Sequence, residues 1–236
     1  MSVIFLSHRG ESDDAPENTM RSFALAAERD SDGIELDIRL TADKQVVCCH
    51  DADLQRVAGV PLVVADATLA QLREFYPVPL LSEALTVIRD KGMMQIEFKG
   101  DPALIPFARK VIDTFSDRRR LVISSFEKDT IARCADAFPD LRRVLLTDLE
   151  QDFGTFPTAE KVIDFLAPLR CGISFKATFA ADKTFVGTLR RAGLPVVGWG
   201  VFNDELGLHL ASIGVDAMTC NHAVALREKF RNIKEN

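Results

Sequence analysis

His8, Arg9, Glu35, Asp37, His50, Glu97 and Lys99 are the residues of this chain whose types and spacing could do chemistry together. In GIELDIRL (33–40) apolar and charged residues alternate. Ile34, Leu36, Ile38 and Leu40 therefore share one face of a strand, and Glu35, Asp37 and Arg39 share the other. MMQIEFK (93–99) repeats the pattern, with Met94, Ile96 and Phe98 against Gln95, Glu97 and Lys99. If the charged faces of two neighbouring strands look into one enclosed space, Glu35, Asp37 and Glu97 converge there. Three ionised carboxylates repel strongly, and a divalent cation resolves the conflict. An all-oxygen ligand set favours a hard ion, Mg²⁺ or Ca²⁺ with Mn²⁺ as a further candidate, over zinc. Internal ion pairs with Arg9, Arg39 and Lys99 are the alternative.

The histidines supply acid/base chemistry. TADKQVVCCHD (41–51) carries a turn signal, ADKQ, between two extended runs, and reads as a hairpin. A two-residue loop (Asp43, Lys44) or a four-residue loop (Ala42 to Gln45) sets Asp37 opposite His50 on the same face; a three-residue loop would shift that register. His8 ends the first strand-like run and is followed by an acidic loop with Glu11, Asp13, Asp14 and Glu17. Imidazole titrates near pH 6.5, so of two histidines framing one site, one can accept a proton while the other gives one. Arg9 offers a planar fork for phosphate oxygens and Lys99 a compact charge, a pair suited to an anionic substrate. Trp199, the only tryptophan, is either core or a wall against which substrate stacks.

These residues need elements that aim them at one point. Strand-like runs at 3–8, 33–40, 93–99, 121–126, 143–147, 171–175, 195–201 and 216–220 alternate with segments of helical spacing. In NTMRSFALAAERD, Met20, Phe23, Ala24 and Ala27 fall on one face, with Asn18 or Thr19 as cap; in LSEALTVIRDKG, Leu81, Ala84, Leu85 and Ile88 do the same, with Ser82 as cap and Gly92 as stop. Similar spacing fits 103–115, 128–137, 158–168, 183–192 and 204–213. Eight such units in 236 residues predict a (β/α)8 TIM barrel, one domain over 1–236 with a short insertion after the second strand. A doubly wound open sheet is the runner-up, weakened because HRGESDD is acidic where a glycine-rich phosphate turn would lie.

Composition excludes several classes. A hydrophobic content of 47% with 27% charged residues is that of a soluble globular protein. Net charge is −6 with no basic run, which argues against nucleic acid. VIFL is too short for a signal-peptide core, and no stretch approaches the roughly 20 apolar residues that span a bilayer. Five cysteines, Cys48 and Cys49 adjacent and Cys134, Cys171 and Cys220 scattered, without a CxxC pair, read as reduced thiols of a cytoplasmic protein. His222 is read as a bystander and His209 as a surface residue; Ser124 and Ser125 have no base beside them, and Lys176 could add charge to the rim.

HRG (8–10), PENT (16–19), ELDIRLTAD (35–43), HD (50–51), PLLSEAL (79–85), EFK (97–99), SSF (124–126) and GVDAMTCN (214–221) resemble, in order over nearly the whole chain, the glycerophosphodiester phosphodiesterases. The resemblance implies a metal-dependent TIM barrel that cleaves glycerophosphodiesters to sn-glycerol 3-phosphate and an alcohol. It implies His8 and His50 as acid/base pair, Glu35, Asp37 and Glu97 as metal ligands, and Arg9 and Lys99 as phosphate contacts. It also implies attack by the substrate's own glycerol 2-hydroxyl and a cyclic phosphate that water then opens. Three places depart from the pattern. The family's WTVN stands here as WGVFND, with Asn203 one residue late. The usual TD is Thr219–Cys220. The segment from Asp51 to Pro79 is short, which suggests an open pocket, tolerant of varied alcohols or lidded by a second copy in a homo-oligomer. Two alternatives stay beside the main reading: a lysophospholipase D-type enzyme, with Phe75, Tyr76, Phe175 and Phe179 lining an acyl groove, and a non-catalytic phosphodiester-binding barrel. Histidine-metal amidohydrolase barrels are disfavoured, since only four scattered histidines exist.

Overall fold

Alternation along the strands decides the architecture. The computed structural model, which describes residues 3–88 and 92–235, contains β1 (Ile4–His8), β2 (Gly33–Leu40), β3 (Val46–Cys48), β4 (Met93–Phe98), β5 (Leu121–Ser125), β6 (Arg142–Thr147), β7 (Gly172–Lys176), β8 (Val196–Val201) and β9 (Ala217–Cys220). All except β3 pair in parallel, and β1 pairs with both β2 and β9, which closes an eight-stranded barrel. Helices at Met20–Glu28, Leu81–Leu85, Ile105–Ile112, Lys128–Ala137, Ala159–Leu166, Lys183–Arg191, Asp204–Ile213 and Ala223–Glu235 lie in the connections and after the last strand. This is the (β/α)8 TIM barrel that the alternating runs predict.

The outward face of each strand is apolar and meets the helices. Ile34, Leu36 and Ile38 join Met94, Ile96 and Phe98 in one buried cluster with Phe23, Leu81 and Ala108. Inside the barrel Leu6, Val122, Val144, Val197 and Ala217 pack together. Each such leucine or valine, fully buried, contributes roughly 1.5–3 kcal/mol. The inward charged positions lie beyond that plug, towards the C-terminal ends of the strands.

Two local expectations are corrected. The hairpin has a three-residue loop, Ala42–Lys44: Thr41 N–H donates to Gln45 O (3.0 Å), and Lys44 takes the left-handed conformation (φ +61°). Ile38 thus faces Cys48 and Leu40 faces Val46, and Cys49 N–H donates to Asp37 O (3.0 Å), so Asp37 opposes Cys49 rather than His50. Second, Ser82 is not a cap. The helix starts at Leu81, Leu80 stands at its N-cap, and Glu83 accepts from Leu80 N–H at 2.7 Å. That helix ends at Leu85, short of Gly92. Thr19 does cap Met20–Glu28, in a reciprocal box with Ser22.

The segment after β3 folds over the rim as a small unit of its own. Val47, Cys49, Leu54, Val64, Leu72, Tyr76 and Val78 form its apolar cluster, and Tyr76 Oη donates to Glu17 O at 2.7 Å.

Candidate active site at the barrel mouth

Register brings the acids together. Asp37 on β2 stands beside Glu97 on β4, and Glu35 on β2 beside His8 on β1. One carboxylate oxygen from each of Glu35, Asp37 and Glu97 lies within 4.8 Å of the other two, and all three residues are buried. His8, Arg9, Glu35, His50, Glu97, Lys99 and Trp199 line a single cavity of about 220 Å³, together with Gln95, Phe126, Leu146, Gly200, Phe202 and Thr219.

The internal ion-pair alternative holds for part of this cluster. Lys99 Nζ lies 2.7 Å from Glu97 Oε1 and 3.3 Å from Asp37 Oδ1. Arg9 divides between Glu17 (Nη1, 2.9 Å) and Asp37 (Nε, 3.3 Å). Arg39 turns away and donates from Nε and Nη2 to His50 O at 3.0 and 2.7 Å. Two cationic side chains therefore face three acids: among the described residues no arginine or lysine side chain pairs with Glu35, whose Oε2 accepts from the Arg9 backbone N–H at 3.3 Å. Burial, then the charges of Asp37 and Glu97, push Glu35 well above the usual carboxylate range. Burial and Asp37 also raise Glu97 to about 7 despite Lys99. Burial would raise Asp37 too, but Lys99 and Arg9 hold it far below its ordinary value.

This donor set fits a hard dication. Oxygen ligands 2.0–2.6 Å from one ion stand no more than about 5 Å apart, the separation seen here, and the uncompensated Glu35 is the charge such an ion would neutralise.

Both imidazoles are held from behind. His50 Nδ1 lies 2.7 Å from Asp51 Oδ1, and Asp51 Oδ2 accepts from Arg56 Nε at 2.6 Å. Arg56 also donates from Nη1 and Nη2 to the Glu17 carboxylate, both at 2.7 Å. His8 Nδ1 lies 2.8 Å from Asn221 Oδ1, while its Nε2 lies 3.9 Å from Glu35 Oε2. Burial lowers the pKa of His8 and of His50, so both are poor at holding a proton unaided. His50 reaches the cavity through the bend after β3 rather than by strand pairing.

Backbone geometry at the first motif is specific. Arg9 and Asn18 both adopt left-handed conformations (φ +56° and +51°), as does Gly10 (φ +81°). A Cβ on Gly10 would lie 2.5–2.6 Å from Ser22, so only glycine fits between β1 and the first helix.

The two altered motifs have local explanations. Between β8 and β9 the register gains one residue from Gly198 to Val201, a bulge in which Gly200 takes φ +69°. Asn203 then caps Asp204–Ile213 by accepting from Leu206 N–H at 2.9 Å. Cys220 points into the outer core. All five cysteines are free and buried.

Other expectations are corrected or refined. Phe175 is sealed in the outer core, and Phe75, Tyr76 and Phe179 do not line the cavity. The apolar wall is instead Trp199, Phe126, Phe202 and Leu146. Trp199 Nε1 donates to Thr147 O (3.1 Å), and its ring meets Phe126 edge-on at 5.2 Å. His209 is half-buried, with Nε2 2.9 Å from Ala181 O and its ring against Phe179, rather than at the surface. Ser124 is completely buried, and Lys176 pairs with Asp148 outside the cavity. Sequence reasoning gave no site role to Asn18, Arg56, Asn221, Phe126 or Phe202. All except Arg56 lay inside one of the sequence motifs, Asn18 in PENT, Phe126 in SSF, Phe202 in WGVFND and Asn221 in GVDAMTCN.

A parallel barrel with acids, imidazoles and cations gathered at the C-terminal ends of its strands defines the enzyme-bearing class of TIM barrels. Residues 8–225 match the family described as the glycerophosphoryl diester phosphodiesterase family, and the chain belongs to it; it is a phosphoric diester hydrolase. The Bacillus subtilis protein YhdW is 27% identical over 235 residues, covering 93% of this chain and 95% of its own length. The glycerophosphodiester phosphodiesterase of Thermotoga maritima superposes with a TM-score of 0.77 at 26% identity, covering 100% of this chain and 99% of that one. A phosphodiesterase of Oleispira antarctica, solved with the product sn-glycerol-3-phosphate, gives a TM-score of 0.83 at 24% identity over 100% and 97% of the two chains, a likeness of fold. Among the described residues no helix is long and apolar enough to cross a membrane.

Proposed function

We propose that this chain hydrolyses glycerophosphodiesters to sn-glycerol 3-phosphate and an alcohol, with a divalent cation held by Glu35, Asp37 and Glu97 and with His8 and His50 as the acid/base pair. The observation that carries the reading is the buried three-acid cluster, only partly offset by Lys99 and Arg9, two of whose members, Glu35 and Glu97, line one cavity with two imidazoles, each backed at Nδ1. The product bound by the Oleispira relative supports the substrate class.

The residues divide the work as follows. Lys99 and Arg9 attract the phosphodiester and offset charge that builds on its oxygens. When bound, a hard dication neutralises the carboxylates and adds Lewis-acid stabilisation of the phosphoryl oxygens. One imidazole takes the proton of the substrate's 2-hydroxyl as that oxygen bonds to phosphorus. The other donates a proton to the departing alcohol oxygen as its bond to phosphorus breaks. Water then attacks the cyclic phosphate, the bond from phosphorus to the 2-oxygen breaks, and the histidines exchange roles. Trp199 and Phe126 exclude water from one side of the cavity.

The aromatic lip favours a second reading of the substrate, one whose glycerol carries an acyl chain. Phe202 is 79% exposed and Phe126 is 44% exposed at the cavity edge, an apolar seat that a lysophospholipase D-type substrate would use. The test is metal-depleted protein assayed with glycerophosphocholine, glycerophosphoethanolamine and lysophosphatidylcholine, with Mg²⁺, Ca²⁺, Mn²⁺ or Zn²⁺ restored in turn. Release of glycerol 3-phosphate only after metal return is expected; a zinc requirement that Mg²⁺ and Ca²⁺ cannot replace contradicts it. Hydrolysis of glycerophosphocholine with none of the lysolipid eliminates the second reading.

A further inference from the structure

Resting on the reading of His8 as an acid/base group, we infer that Asn221 is the positioning residue that fixes the His8 tautomer, and that Asp13 orients the Asn221 amide for it. Asn221 Nδ2 lies 3.0 Å from Asp13 Oδ1. A carboxylate only accepts, so the amide nitrogen must face Asp13 and the amide oxygen must face His8, whose Nδ1 lies 2.8 Å away. That oxygen also only accepts. Nδ1 of a neutral His8 therefore carries the hydrogen, and Nε2 is the bare nitrogen, turned towards Glu35.

Asp13 is itself held in place. Its second oxygen lies 3.7 Å from His222 Nδ1, His222 Nε2 lies 3.1 Å from Asp204 Oδ1, and Asp204 pairs with Lys229. The arrangement ties the loop after β1, the loop after β9 and the start of Asp204–Ile213 into one rim network. It also accounts for a polar residue at this place in the chain. Cys220 is turned into the outer core, so the next residue, Asn221, is the one that reaches His8. His222 acquires a role in this network.

Three variants and one spectrum test it. Asn221→Leu keeps the size and removes the acceptor; kcat should fall about 10- to 100-fold, the range seen when the partner behind a functional imidazole is lost, with KM changed less than about twofold. The exchanged pair Asp13→Asn/Asn221→Asp restores an acceptor at Nδ1 and a donor behind it, and should recover kcat to within a few-fold of wild type. Long-range ¹H–¹⁵N NMR at roughly pH 8.5, where a free imidazole is neutral, should show His8 protonated at Nδ1 in the wild type and a tautomer mixture in Asn221→Leu. An unchanged kcat and tautomer in Asn221→Leu, alongside an inactive His8→Ala, overturns the assignment to Asn221 alone. A fall in kcat with an unchanged tautomer and no recovery in the exchanged pair also overturns it, as a purely structural loss. Full activity in His8→Ala removes the acid/base reading itself.

Discussion

The Asn18 amide holds Asp37 twice: Nδ2 donates to Oδ2 at 2.8 Å, and Oδ1 lies 3.3 Å from the Asp37 N–H. Asn18 reaches this position in a left-handed conformation, and its own N–H donates to Arg9 O (3.0 Å), where Arg9 is left-handed as well. Left-handed backbone costs a non-glycine residue roughly 1–2 kcal/mol, and here it is used to turn two side chains onto one carboxylate. PENT therefore serves the acid of β2 as much as the helix that follows it.

Asn18→Ala removes the amide donor from Asp37 Oδ2 and leaves that oxygen to the longer Arg9 pair at 3.3 Å. Metal affinity and kcat should each fall about 10- to 100-fold, as is usual when the partner of a ligand is lost. Calorimetric titration with Mg²⁺ and steady-state kinetics check this; a wild-type affinity contradicts it.

Glu35→Gln separates stability from function. In metal-free protein the substitution removes a buried, like-charge-repelled carboxylate, so the variant should match or exceed wild type in melting temperature. Adding Mg²⁺ or Ca²⁺ at a hundred times Kd should stabilise wild type by about 2.7 kcal/mol and leave the variant unmoved. Paired thermal scans with and without metal decide it.

His8→Ala and His50→Ala should each lower kcat about 10²- to 10⁴-fold while folding normally, since each side chain is a third exposed or a little less. Asp51→Ala should cost less than His50→Ala, because it acts through the imidazole. Undiminished turnover in either histidine variant removes that residue from the mechanism.

Acid stability should report Glu17. Burial alone would raise its pKa, but hydrogen bonds from Arg56 and the charge of Arg9 bring it below its ordinary 4.5. A lowered folded pKa means the contribution is present above 4.5 and is lost as pH falls through the lowered value. Glu17→Gln should thus be less stable than wild type at pH 7, by about 1–3 kcal/mol, with the difference closing below about pH 4. Urea midpoints at neutral and acid pH measure it; a gap that widens on acidification contradicts it.

Gly200→Val forces a β-branched residue into φ +69° at the bulge beside Trp199. Loss of about 1–2 kcal/mol is expected, with KM rising more than kcat falls if Trp199 forms the substrate wall. Chemical unfolding and the separate kinetic constants distinguish the two effects.

Much of this molecule is written in short-range pattern. Strict alternation in 33–40 and 93–99 put Glu35, Asp37 and Glu97 on the polar side of their strands, and the helical spacing of 128–137 and 204–213 matches the observed helices end to end. The chemistry of the acids, and with it the preference for a hard ion, follows from residue type alone. The motif series announced the family.

Other decisions depend on contacts that no local period encodes. The hairpin register turned on whether Lys44 would take a left-handed conformation, which shifts every pairing by one residue. Closing β1 onto β9 brought Asn221 to His8 across 213 positions of sequence, and the β8 bulge left Phe202 and Trp199 on one cavity. Residue types and strand periods set which side chains face inward, because the backbone repeat is local. Which partner each one meets was decided by barrel closure and loop conformation, because those depend on the whole chain at once.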